Sequence, residues 1–88
     1  MTFALESQVD LPSVQDLHSR LVHAYSKGED MFLDGKAVER IDGAGLQVFA
    51  SLFLTARQDG RKVEWLQVSP EFRDAARNLG LLKVLDLA

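Results

Sequence analysis

The segment Val38-Glu39-Arg40-Ile41-Asp42-Gly43-Ala44-Gly45-Leu46 constrains the fold more than any other part of the chain. A short apolar run, Met31 to Leu33, leads into it, and a long apolar-rich stretch running to about Asp59 leads out. Asp42 stands where a helix N-cap belongs, because its carboxylate can accept bonds from the free N–H groups of the first turn. Gly43 and Gly45 then place two residues without side chains in that turn, against intrinsic helix propensity. Two such glycines at one helix start predict that a neighbouring element or a partner approaches the backbone closely there.

The rest of the chain falls into order around this helix. Phe3, Leu5 and Val9 alternate with polar or small residues, with Ser7 out of phase, and predict a first strand from Thr2 to about Ser7. Asp10, or Ser13 after Leu11-Pro12, starts a first helix. Val14, Leu17, Leu21 and Ala24 or Tyr25 recur on one face of it, and Lys27-Gly28 closes it. Met31-Phe32-Leu33 reads as a buried central strand, Asp34-Gly35-Lys36 as a loop, and Gly43 to about Asp59 as the central helix. Lys62 to Val68 alternates as another strand. Ser69-Pro70-Glu71 opens a last helix with Phe72, Ala75, Ala76 and Leu79 inward and Gly80 at its end. Leu81 to Leu87 is a final apolar segment, either a short edge strand or a helical turn. This β-α-β-α-β-α alternation predicts an α/β domain with parallel neighbours in its sheet. Three helices cannot cover both faces of a sheet, so they are expected mainly on one side.

Length and charge narrow the function. Eighty-eight residues form one domain, spanning 1–88, with one modest core. A net charge of −3 and scattered basic residues argue against a nucleic-acid surface. The absence of cysteine removes disulfides, thiolate catalysis and cysteine-ligated zinc. No run approaches the length of a membrane span, so no membrane insertion is expected. The first residues carry no signal-like pattern, and a cytoplasmic location fits both observations.

The chemistry-bearing residues do not assemble into a catalytic or metal-binding pattern. His18 and His23, five apart on a helix, diverge by about 140° and cannot form a metal pair. Asp10, Asp34 and Asp42 read as caps and loop carboxylates, and Trp65 as core. Gly43-Ala44-Gly45 fails as a dinucleotide loop because the third glycine would fall at Val48. No catalytic residue, metal or cofactor is expected, and a small-ligand or nucleotide binder is the weakest alternative.

The central helix carries the stronger signal. Its apolar residues Leu46, Val48, Phe49, Ala50, Leu52, Phe53 and Ala56 fill about 200° of arc, wider than an ordinary surface helix requires. Gly43, Gln47, Ala50 and Leu54 recur at i, i+4, i+7 and i+11 as a flat ridge beside the core face. Such a ridge reads either as packing between neighbours or as a docking surface.

Residues 31–47 resemble the signature of the STAS domain, named for sulfate transporters and anti-sigma factor antagonists. That signature is a strand ending in Asp, a small loop, and Ile/Val-Asp-Ser/Thr-Ser/Ala-Gly-Leu opening a helix. The segment from Gly60 through the Ser-Pro helix is similar to the family's C-terminal half. The resemblance implies a STAS-like sandwich with a mixed sheet of about four strands and three or so helices mainly on one face. It implies no catalysis, and binding of a protein partner through the start of the central helix. With the ridge, it marks Arg40, Asp42, Gly43, Ala44, Gln47, Ala50 and Leu54 as the expected partner-binding residues. The implied partners are an anti-sigma factor or kinase, a chemotaxis-type regulator, or the ATPase subunit of a lipid-transport ATP-binding cassette complex. The family's phosphoacceptor follows the Asp and is Ser or Thr; here Gly43 offers no hydroxyl, so the position cannot be phosphorylated. The family's N-terminal hairpin also has little room before the first helix. An exposed first-strand edge would allow two copies to pair.

Overall fold

A computed structural model describes all residues from Met1 to Ala88. Strand β1 (Thr2–Ala4) is followed by β2 (Gln8–Val9), a 3-10 turn over Leu11–Ser13 and helix α1 (Val14–Ser26). Strand β3 (Met31–Gly35), strand β4 (Arg40–Ile41) and helix α2 (Gly43–Asp59) come next, then β5 (Val63–Val68) and α3 (Pro70–Asn78).

The α/β architecture with three helices agrees with the sequence reading, but the sheet is not mixed. Strands β1, β3 and β5 form one sheet in that order, β2 and β4 form a second pair, and every pairing is parallel. Each pair in the main sheet is joined through a helix, the connection that parallel strands require. The expected strand from Thr2 to Ser7 is two short strands, β1 and β2. Leu5 still donates its N–H to Asp34 O, but Ser7 O turns to accept the amides of Glu39 and Arg40. The out-of-phase Ser7 thus marks where the chain leaves one ladder for another. Strand β4, only two residues long, carries no periodicity and was not legible in the sequence.

The main sheet buries one face. Phe3, Leu33 and Trp65 share a row, as do Met31 and Val63, and these side chains are buried or half-buried. On the opposite face Thr2 and Glu64 are exposed and Phe32 is half-buried, so the helices cover one side, as expected. The core beneath them is aromatic: the Trp65 ring lies 4.8 Å from Phe72, 5.5 Å from Phe49 and 5.8 Å from Phe53. Trp65 Nε1 donates to Leu85 O, which fixes the C-terminal segment over this cluster. That segment is a run of turns rather than an edge strand, held by Leu85 N–H to Leu81 O and Leu87 N–H to Leu82 O. Arg57 and Arg73 add side-chain donors to carbonyls of Lys83, Val84 and Leu87.

Candidate docking face at the start of the central helix

Asp42 is extended, with φ −103° and ψ 179°, and its carboxylate does two things. Oδ1 accepts from Gly45 N–H at 3.0 Å, the N-cap bond expected from the sequence. Oδ2 accepts from Leu11 N–H at 2.9 Å, which ties the turn before α1 to the start of α2. The Asp42 N–H in turn donates to Val9 O at 3.1 Å. The Asp42 side chain and amide together tie the start of α2 to the segment around Val9 and Leu11, some 31 residues earlier.

The two glycines have different reasons. A Cβ on Gly45 would lie 2.7 Å from Val9 Cγ1, 3.0 Å from Val9 O and 3.2 Å from Ile41 Cγ1. The first turn of α2 presses directly on the β2–β4 pair, and only glycine fits there. Gly43 is exposed, and a Cβ there would meet only Leu79 Cδ1 at 3.8 Å. The close approach expected for both glycines therefore holds for Gly45 alone.

The expected ridge is divided. Gly43, Gln47 and Leu54 are exposed, and Ala44 is half-buried. Ala50 is only 5% exposed and belongs to the core, so it is not available to a partner. The 100° step per residue placed it at the margin of the apolar arc, and the folded core extends to that margin. Arg40 is exposed on β4, beside a shallow cleft it shares with Asp10 and Asp42. Asp34 lies elsewhere, accepting from Lys36 N–H. No group of three His, Asp or Glu side chains is arranged to hold a metal. His18 and His23 line separate clefts on either side of α1.

Two exposed leucines were missed by sequence reasoning. Leu79, expected to face inward, is 53% exposed. It follows the last residue of α3, so the helical periodicity that placed it inside no longer applies. Its Cδ1 lies beside Gly43 instead. Leu11 is 65% exposed, in the turn that Asp42 holds. Its signal was an apolar residue directly before Pro12 and outside any periodic run. The exposed face of α2 that these leucines flank is free of charge from Gly43 to Ala56.

No curated protein matches the chain. A family model described as "Mlab, STAS domain" matches residues 1–86, nearly the entire length. Domains of this kind are generally non-enzymatic modules that mediate protein–protein interactions. The chain belongs to the STAS domain family.

Proposed function

We propose that this domain binds a regulatory protein partner through the exposed face of α2 that begins at its N-terminal end, and performs no chemistry of its own. The partner is of the anti-sigma kinase or chemotaxis-type signalling class. The observation that carries the reading is the charge-free exposed row Gly43, Gln47 and Leu54, bordered by Leu79 and Leu11. Exposed Leu11 and Leu79 at the capped helix start, with Leu54 about three turns further along the same row, give a partner apolar area to bury, and Arg40, Asp42 and Gln47 supply polar contacts beside it. Isolated exposed leucines need no explanation, but a cluster around a close-packed helix end does.

Gly43 sets the regulation of this site. The position has room for a side chain, so its glycine is not required by packing. Without a hydroxyl there, the face stays in one charge state, and binding follows partner abundance rather than phosphorylation at residue 43.

Gly43→Glu is the test. It puts a charge at the helix-start end of the face, beside Leu79, and leaves the Asp42 cap bonds untouched. Binding of a partner co-purified from the native host, measured by calorimetry, is expected to weaken at least tenfold while the unfolding midpoint does not fall. Undiminished binding would end the proposal. The same face suits the ATPase subunit of a lipid-transport ATP-binding cassette complex, the second reading drawn from the family resemblance. Mass spectrometry of the co-purified partner separates the two.

A further inference from the structure

Capping α2 does not by itself call for aspartate at residue 42. Serine or asparagine there would accept the Gly45 N–H comparably well. What they lack is a second acceptor oxygen beside the first. Oδ1 accepts from Gly45 at 3.0 Å, which fixes the orientation of the carboxylate. Oδ2 is thereby aimed at the Leu11 N–H, 2.9 Å away. Asparagine would keep the first bond but turn an NH2 donor toward a second donor at Leu11.

The turn that carries Leu11 has little else to place it. Leu11–Ser13 contains no buried residue, so no core contact anchors it. Its remaining side-chain bonds close it on itself. Ser13 N–H and Oγ both donate to Asp10, and the Asp10 N–H donates to Ser13 Oγ. Val9 is fixed by pairing in β2. Between it and α1, the bond from Leu11 to Asp42 is the one that reaches a distant segment. Leu11 is nevertheless 65% exposed, more than any other large apolar side chain.

From this geometry, and resting on the docking face proposed above, we infer that Asp42 is a positioning residue for partner binding that acts through Leu11. Beyond its own polar contact, its Oδ2 holds the exposed leucine beside the helix start that Leu79 borders at Gly43. A leucine on a loose turn would have to be ordered as the partner binds. Holding it in advance removes that cost from binding. The bond is exposed, so its loss leaves the fold intact and its effect shows in binding.

Asp42→Asn separates the two bonds. By NMR amide exchange, the Leu11 N–H should lose protection while Gly45 keeps it, with unchanged circular dichroism. The binding probe is the protein that the unmodified chain co-purifies from the native host, titrated by calorimetry. Leu11→Ala should weaken its binding about tenfold, as truncation of a central contact does. Asp42→Asn should weaken it several-fold. The double variant should lose clearly less than the product of the two, because alanine at residue 11 leaves Asp42 little to position. Losses that multiply would detach the effect of Asp42 from Leu11 and overturn the inference, as would full protection of the Leu11 amide in Asp42→Asn. Binding that Gly43→Glu abolishes and Asp42→Asn leaves unchanged would overturn the inference and keep the docking face. Binding that survives both Gly43→Glu and Leu11→Ala would remove the docking face, and the inference with it.

Discussion

Gly45→Ala and Gly43→Ala should have opposite effects, although they lie two residues apart in one helical turn. At Gly45 the new methyl would sit 2.7 Å from Val9 Cγ1 and 3.0 Å from Val9 O. The Val9 side chain is nearly fully buried, and its carbonyl already accepts the Asp42 N–H at 3.1 Å, so neither can yield freely. Overpacking of this kind costs about 1–3 kcal/mol. Alanine's better helix propensity offsets up to about 1 kcal/mol. The expected net loss is about 1–2 kcal/mol. For a domain of this size each kcal/mol moves the midpoint by roughly 4–8 °C. At Gly43 the nearest atom is 3.8 Å away, so alanine keeps the propensity gain and the variant should be neutral or stabilised by up to about 1 kcal/mol. Urea unfolding followed by the fluorescence of Trp65, the only tryptophan, measures both variants. A Gly45→Ala protein as stable as the parent would refute the close packing of α2 on the β2–β4 pair.

Asp42→Ala should destabilise by about 0.5–2 kcal/mol through loss of the cap, and by more than Asp42→Asn, whose single amide oxygen can keep one of the two bonds. Urea midpoints for the pair of variants decide this, and equal losses would argue against the dual role. Arg57→Ala should change global stability by less than about 1 kcal/mol, because its pair with Asp86 is exposed. Amide exchange at Leu85, Asp86 and Leu87 should nevertheless quicken, since Arg57 holds the carbonyls of Lys83 and Val84. Burial, then the hydrogen bond to Asp59 and that carboxylate's charge, hold the Tyr25 phenol above its ordinary value of 10.0, against the opposing effect of Arg61. The unfolded chain therefore loses this proton first, so the contribution of Tyr25 is intact at neutral pH and declines as pH rises above about 10. Tyr25 is the only tyrosine, so phenolate absorbance reads it directly, and a midpoint at or below the ordinary value would contradict the contact with Asp59.

Much of this was legible in the sequence for identifiable reasons. Asp42, Ser69 and the Gly60 end of α2 use local hydrogen bonding, which leaves residue-type signatures at fixed spacing. The inner faces of α1 and α2 followed the 3.6-residue period. Non-local facts did not show. Whether Gly43 or Gly45 is pressed against a neighbour depends on where β2 and β4 lie, and a two-residue strand has no period to detect. Leu79 was assigned by extending a helical pattern one residue beyond its end. Ala50 sat at the edge of an arc, where a rotation of a few tens of degrees decides between core and surface. The all-parallel pairing follows from crossovers that alternation suggested. The mixed sheet was an expectation from the family resemblance; here β1 and β2 pair in parallel with β3 and β4.

The docking face is tested most directly by photo-crosslinking from single positions in the native host. A photoreactive residue at Gln47, on the exposed face of α2, is expected to capture one protein other than this chain, identified by mass spectrometry. The same residue at Glu64, on the open face of the sheet, is expected to capture none of it. Gly43→Glu in the Gln47-labelled protein should abolish the capture. Equal capture from Gln47 and Glu64, or capture from Gln47 that survives the charge at residue 43, would contradict the account.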